Sequence, residues 1–206
     1  MSDNRLIIPR RTLLASGGAG LLSALAAWPA VGQPTFRYSP FSLGVAAGDP
    51  AADGFVIWTR LAPEPLEVGS GMPHRAMEVD WEVASDAGFT TVVQKGKALA
   101  RPELGHSVHV EVAGLEAARP YWYRFGVGGE RSTAGRAKTA PAAGAAVSRV
   151  RLALAGCQHY ENGYYTAHRR LAGEDLDFVY CYGDYIYEGR GARVRSAAEG
   201  PADAPR

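Results

Sequence analysis

The sequence predicts two regions of different fold class: a β-sandwich of the immunoglobulin or fibronectin kind, then the start of an α/β domain. Three observations support this division. Residues 35–138 contain short runs of alternating apolar and polar residues, separated by Gly, Pro and Asp. Residues 139–149 are rich in Ala, Pro and Gly and lack periodicity, as is typical of a linker. Residues 150–189 then change to near-continuous apolar runs around one helical segment.

The composition is that of a globular protein and excludes some classes of function. The chain has 206 residues, 47% of them hydrophobic, and a formal net charge of +1. Its 22 basic and 21 acidic residues nearly cancel, so no basic field for nucleic acid is expected. Two cysteines are too few for a disulfide scaffold.

Residues 1–32 have the pattern of an export signal. The pair Arg10-Arg11 precedes a mildly apolar run, and small residues before Gly32 offer a cleavage site. An arginine pair in this position is typical of the twin-arginine (Tat) signal, so we expect export by the Tat machinery to the periplasm or the exterior. The alternative is a membrane anchor over 12–31, which would need about 20 apolar residues. Interior glycines and Pro29 disfavour it, so no stable membrane anchor is expected.

The β-rich region is expected to contain six strands, at 38–50, 54–60, 77–84, 106–113, 121–127 and 131–139. The first is expected to end in the turn Gly48-Asp49-Pro50. Tyr121 opens the fifth strand soon after Leu115, which resembles the tyrosine corner of immunoglobulin-like sandwiches. The alternative is that Tyr121 is an ordinary strand aromatic.

The histidines of the β-rich region form no catalytic pattern. His74 is remote in sequence from His106 and His109, and these two are expected on opposite faces of one strand. Residues on opposite faces cannot chelate one ion. We therefore predict no metal site in this region.

The second region is predicted to be one βαβ unit spanning 150–189. Its strands are expected at 150–155 and 177–182, and its helix at 163–172 with Asn162 as the N-cap. A helical crossover makes the two strands parallel. Because both runs are apolar throughout, we expect them to be buried on both faces.

Three residues with metal-binding side chains follow these strands. Cys157 is expected to close the first strand, Asp184 the second, and Tyr187 lies three residues further on. In open α/β sheets, reactive groups collect beyond the carboxyl ends of the strands. A thiolate, a phenolate and a carboxylate together favour a strong Lewis acid such as ferric iron, which could bind phosphoryl oxygens and supply hydroxide. The alternative for Cys157 is a disulfide with Cys181.

The motifs around these residues resemble the PhoD-like (alkaline phosphatase D) metallophosphatase family. The resemblance rests on four stretches: Gly-Cys-Gln at 156–158, GDYIYE at 183–188, and GVAAGDP and VIWTRLAP further upstream. The resemblance implies an exported enzyme that hydrolyses phosphomonoesters and phosphodiesters with ferric iron and calcium. It implies Cys157 and Tyr187 as iron ligands and Asp184 as a bridge between iron and calcium. Cys181 stands where the family usually has His.

The family's catalytic domain continues well beyond this length and supplies further Asp, Asn and His ligands. Residues 190–206 are polar, rich in Ala, Gly and Pro, and predicted to be disordered. We therefore expect this chain to hold part of the site and to have little activity alone. Two other functions stay open: an extracellular immunoglobulin-like binding or structural module with a non-functional phosphatase remnant, and a phosphodiesterase that uses zinc or manganese.

Overall fold

Two antiparallel sheets contain the alternating segments of the β-rich region. The structure is a computed structural model that describes residues 34–159 and 164–187. One sheet has the strand order β1-β2-β5, and the other has the order β4-β3-β6-β7 with β8 also paired to β6. Their strands are β1 (Val45–Ala51), β2 (Gly54–Arg60), β3 (Met77–Ala84), β4 (Val92–Ala100), β5 (Ser107–Val112), β6 (Pro120–Val127), β7 (Glu130–Arg131) and β8 (Gly135–Lys138). Short 3-10 turns occupy Val68–Gly71 and Pro102–Leu104.

One hydrophobic core joins the two sheets. Ile57 on β2 and Val79 and Val83 on β3 have no exposed surface, and Phe125 on β6 is 1% exposed. The alternation in sequence explains this, because successive strand residues point to opposite faces and the apolar set faces inward. Gly135 lets β8 cross the ring of Tyr123, since a Cβ there would lie 2.3 Å from that ring.

The predicted strands agree closely with the structure in the middle of this region and differ elsewhere. Strands β2 and β3 have the predicted bounds. Strand β4 was missed, because its sequence VVQKGKALA mixes lysines with glycine and keeps much of its surface in solvent. The predicted turn at 48–50 is wrong: β1 continues to Ala51, with a register shift between Gly48 and Ala51. The predicted last strand is divided into β7 and β8.

Tyr121 makes the hydrogen bond that a tyrosine corner predicts. The backbone N–H of Glu116, five residues upstream, donates to the Tyr121 hydroxyl at 3.0 Å. Tyr121 is 4% exposed and Leu115 is also buried. The side chain therefore acts both as a core aromatic and as a tie to the preceding loop.

Residues 152–181 form the expected βαβ unit with shorter elements. Strands β9 (Leu152–Ala155) and β10 (Phe178–Cys181) pair in parallel, with Leu154 opposite Tyr180. Helix α1 (Thr166–Ala172) begins three residues later than predicted, with Tyr165 at the N-cap position. The N-cap prediction is therefore wrong, and Asn162 lies outside the described residues. No helix in the described ranges is long and apolar enough to span a membrane.

The expectation that these two strands are buried on both faces is wrong. Leu154 is 61% exposed, and Val179 and Tyr180 are 50% and 59% exposed. Within the described residues the sheet has only these two strands and one helix, so no second layer covers its apolar surface.

Ionic contacts fix the βαβ unit to the β-rich region. The Lys138 ammonium of β8 pairs with the Asp177 carboxylate, and the Arg151 N–H donates to Asp177 Oδ2 at 2.8 Å. The Arg136 and Arg151 guanidiniums lie 3.8 and 2.7 Å from the Asp175 carboxylate. The hydrogen bond from the Arg151 N–H, followed by that from Lys138, lowers the pKa of Asp177.

Candidate metal centre

The loops that follow β9 and β10 stay paired beyond the ends of the strands. The Tyr182 N–H donates to the Ala155 carbonyl at 2.9 Å, and the Cys157 N–H donates to the Asp184 carbonyl at 3.0 Å. Cys157 and Asp184 therefore lie just past the strand ends rather than closing them. The parallel pairing explains why residues far apart in sequence meet at this edge.

Two glycines allow the loops to approach this closely. A Cβ at Gly156 would lie 2.7 Å from the Gly183 nitrogen, and a Cβ at Gly183 would lie 2.4 Å from Cys157 Sγ. Cys157 itself has a φ of +57°, in the left-handed region that a residue with a Cβ rarely adopts. Such backbone strain persists only where the surroundings enforce it, and it is common at functional sites.

The phenol of Tyr187 joins the thiol and the carboxylate. Its hydroxyl forms side-chain hydrogen bonds with Cys157 and Asp184. Local desolvation, followed by the hydrogen bonds to Cys157 and Asp184, raises the pKa of Tyr187 to about 12. The three residues singled out from the sequence thus form one cluster, which we call the Cys157 cluster.

The Cys157 cluster offers one sulfur and two kinds of oxygen donor to an ion. In residues 34–159 and 164–187, no three His, Cys, Asp or Glu side chains are grouped so that they could hold a metal ion. The Cys157 cluster has three donors because the phenol of Tyr187 adds to the thiol and the carboxylate. All three side chains are solvent-accessible, with Tyr187 37% exposed. A thiol, a phenol and a carboxyl group fit a strongly Lewis-acidic metal.

His159 is a neighbour of the cluster that the sequence reading missed. Its ring centroid lies 4.9 Å from that of Tyr187, with the planes inclined by 39°. Its position two residues after Cys157 was the only available signal, because the contact forms only when the β10 loop folds back.

The alternative disulfide does not form. Cys157 and Cys181 are both free thiols, and both are exposed. Cys181 Sγ lies 3.6 Å from the Gly183 carbonyl oxygen, at the end of β10. Glu188, the last residue of the GDYIYE motif, lies outside the described residues.

Comparison with protein families decides what this chain is related to. The model of the PhoD-like phosphatase N-terminal domain matches residues 26–141, and that of PhoD-like phosphatase matches residues 152–205. The chain belongs to the PhoD-like phosphatase family. The second match contains all three residues of the Cys157 cluster.

Individual relatives agree with this assignment. Alkaline phosphatase D of Bacillus subtilis (strain 168) is 51% identical over 171 residues, which are 83% of this chain and 29% of that protein. A solved structure of PhoD superposes with a TM-score of 0.72 at 55% identity, over 75% of this chain and 29% of that one. This PhoD-like chain therefore spans 29% of the length of each of these two relatives.

Proposed function

We propose that the chain forms part of an exported phosphoric ester hydrolase of the PhoD-like type, acting on phosphomonoesters or phosphodiesters. The observation that carries the proposal is the convergence of Cys157, Asp184 and Tyr187 at the edge of a parallel strand pair. In a chain of this family, that edge is where a metal-dependent hydrolase is expected to hold its ions. The described residues supply three donors of that site.

The donors favour ferric iron, and the resemblance to the family implies calcium beside it. Cys157 and Tyr187 would hold the iron, and the Asp184 carboxylate would bridge iron and calcium. Local desolvation and the contacts with Cys157 and Asp184 raise the pKa of Tyr187, and a strong Lewis acid would displace its phenolic proton. When bound, the ions would supply the charge that attracts phosphoryl oxygens and lowers the pKa of water.

The chain's own residues would orient these donors and leave room for the ester. The glycine at 183 and the left-handed backbone of Cys157 place the thiol against the β10 loop. The ring of His159 packs against Tyr187 and restricts how the phenol can turn. The cluster is open to solvent on the described side, so a phosphate ester could reach it without displacing a core residue.

The rest of the chain would export and support this site. Residues 1–32 would act as a Tat-type signal; they and residues 190–206 lie outside the described residues. Residues 35–138 would form an immunoglobulin-like domain, for which the Glu116–Tyr121 hydrogen bond is the main support. Residues 139–149 would be the linker, and 150–189 the first βαβ unit of the metallophosphatase domain. An exported chain would act in the periplasm or outside the cell.

Competition between metals tests the proposed site. The metal-free chain is loaded with ferric iron and calcium, or with zinc or manganese, and bound metal is measured after dialysis. We expect iron to be retained, and Asp184→Asn to reduce its retention while the exposed control Asp175→Asn does not. Retention of zinc or manganese in preference to iron would favour the alternative phosphodiesterase and contradict the iron assignment.

Hydrolysis tests the reaction itself. The metal-loaded chain is given a chromogenic phosphomonoester and phosphodiester, and release of the alcohol is followed. We expect little or no turnover, because the described residues supply three donors only, and any residual turnover should disappear in Asp184→Asn. Turnover that survives this substitution would show that the Cys157 cluster is not the catalytic centre. Robust turnover by the chain alone would contradict the expectation that it holds only part of the site.

A further inference from the structure

A small cavity in the β-rich region combines a guanidinium with two imidazoles. Its volume is 120 Å³, and its lining includes Arg60, His74, His106, Met72 and Pro102. This volume corresponds to roughly four water molecules, at about 30 Å³ each in the liquid. His74 and His106 were separated in the sequence reading, yet the fold brings them to one place.

The guanidinium of Arg60 is held in a fixed position and its charge is not paired. Nε donates to the Gly105 carbonyl at 2.9 Å, and Nη2 donates to Ser70 Oγ at 3.1 Å. A guanidinium has five N–H groups, so three are left without a protein acceptor among the described residues. No described carboxylate pairs with Arg60 either. Fixed, uncompensated positive charge in a cavity attracts an anion and disfavours a metal cation.

His106 presents an unused hydrogen-bond acceptor to the same cavity. The residue is 5% exposed, and its Nδ1 lies 3.3 Å from the Ala100 carbonyl oxygen. A carbonyl can only accept, so Nδ1 carries the proton and Nε2 of the neutral ring keeps its lone pair. In the part of the chain that the structure describes, no group donates to Nε2. Since no described side-chain nitrogen or oxygen is both buried and without a hydrogen-bond partner, Nε2 is reached by solvent from the cavity and can accept from a ligand there.

The backbone is strained so that these groups face each other. His106 has a φ of +57°, and its N–H donates to the Arg101 carbonyl at 2.8 Å. Ser70, which is 5% exposed and accepts the hydrogen bond from Arg60, has a φ of +55°. Both are left-handed conformations that a residue with a Cβ avoids unless its surroundings impose them.

We propose that this cavity binds inorganic phosphate. The free N–H groups of Arg60 would donate to the anionic oxygens, and Nε2 of His106 would accept the proton of the P–OH group. His74, exposed at the rim, would contribute a further hydrogen bond. The cavity shares no residue with the Cys157 cluster, so its ligand does not depend on the proposed function.

The acceptor on His106 should make the cavity selective among oxyanions. At pH 8 inorganic phosphate still carries one proton, whereas sulfate carries none. A phosphate monoester has lost its last proton there, because its second pKa is about 6. Both should bind at least about tenfold more weakly than phosphate, since each sets an oxygen lone pair against the Nε2 acceptor that lines the cavity.

The test is an NMR titration of the metal-free chain at pH 8, observed on the histidine ring protons. Inorganic phosphate should shift the resonances of His74 and His106 saturably, whereas sulfate and glycerol phosphate should bind at least about tenfold more weakly. His106→Asn should remove the preference for phosphate over sulfate. His74→Ala, at an exposed position that keeps the fold, should weaken phosphate binding, and His109→Ala on the outer face of β5 should not.

Three results would overturn the proposal. The first is the absence of saturable shifts at millimolar phosphate. The second is equal affinity for phosphate, sulfate and glycerol phosphate in the unsubstituted chain, which would leave no role for the His106 acceptor. The third is a loss of affinity in His109→Ala as large as that in His74→Ala.

Discussion

The β-rich region and the βαβ unit have similarly apolar strands, yet they bury them very differently. Ile57 and Val83 in the first region have no exposed surface, whereas Leu154 and Val179 in the second are 61% and 50% exposed. The difference lies in the number of packed layers: two sheets share one core in the first region, whereas the described residues of the second form a two-stranded sheet with one short helix. An apolar strand therefore predicts burial only where the chain supplies an opposing layer.

The loops of the less buried region are nevertheless well defined. The Cys157 cluster is held by backbone hydrogen bonds and by glycines that permit close approach, not by a surrounding core. The stability of the fold and the geometry of the site thus depend on different parts of the molecule. Substitutions in the two regions should have separable effects.

The largest expected effect is on stability in the β-rich region. Phe125→Ala removes a ring that is 1% exposed, and we expect it to lower the free energy of unfolding by about 3–5 kcal/mol. Leu154→Ala removes a similarly apolar but exposed side chain and should change it by no more than about 0.5 kcal/mol. Denaturant unfolding followed by tryptophan fluorescence measures both. Equal losses would show that the βαβ strands contribute to the core after all.

The next effect separates site geometry from stability. In Gly183→Ala the new methyl group would lie 2.4 Å from Cys157 Sγ and displace the thiol. We expect iron affinity to fall by about tenfold or more, corresponding to about 1.4 kcal/mol, with little change in the unfolding of the β-rich region. Gly48→Ala is the matched control, because nothing lies within 4 Å of a Cβ there. Undiminished iron affinity in Gly183→Ala would contradict the proposed ligand geometry.

The smallest effect concerns the contact between the two regions. The pKa of Asp177 lies below its ordinary value of 3.8, because the Arg151 N–H and then Lys138 donate to its carboxylate. A lowered folded pKa stabilises the fold above the unfolded pKa, and this contribution is lost as pH falls through the folded value. In Asp177→Asn the free energy of unfolding should therefore fall less steeply below about pH 4. At pH 7 it should be lower by no more than about 1 kcal/mol. If the free energy of unfolding of Asp177→Asn falls with acid as steeply as that of the exposed control Glu103→Gln, Asp177 makes no such contribution.

The sequence predicted the features that depend on local pattern. A β-branched and aromatic run predicted the bounds of β2, and period-two alternation those of β3. A helical crossover predicted the parallel pairing of β9 and β10. The convergence of Cys157, Asp184 and Tyr187 was also expected, because it follows from the position of residues relative to strand ends.

The sequence could not predict features that depend on tertiary contacts. Strand β4 lacks a strong apolar face and forms by pairing with β3 along its length. The contact of His159 with Tyr187 depends on how a loop folds back. The cavity that joins His74 to His106 depends on Arg60, whose hydrogen bonds tie two loops together. The periodicity of a sequence carries no information on such tertiary contacts.

The most direct test of the central claim is to add ferric iron to the metal-free chain and record its visible absorption. A phenolate bound to ferric iron gives a charge-transfer band, so the unsubstituted chain should become coloured. Tyr187→Phe should abolish the band, whereas Tyr185→Phe, at a position that is 81% exposed, should keep it. A colourless iron-treated chain, or a band that survives Tyr187→Phe, would contradict the assignment of the Cys157 cluster as an iron site.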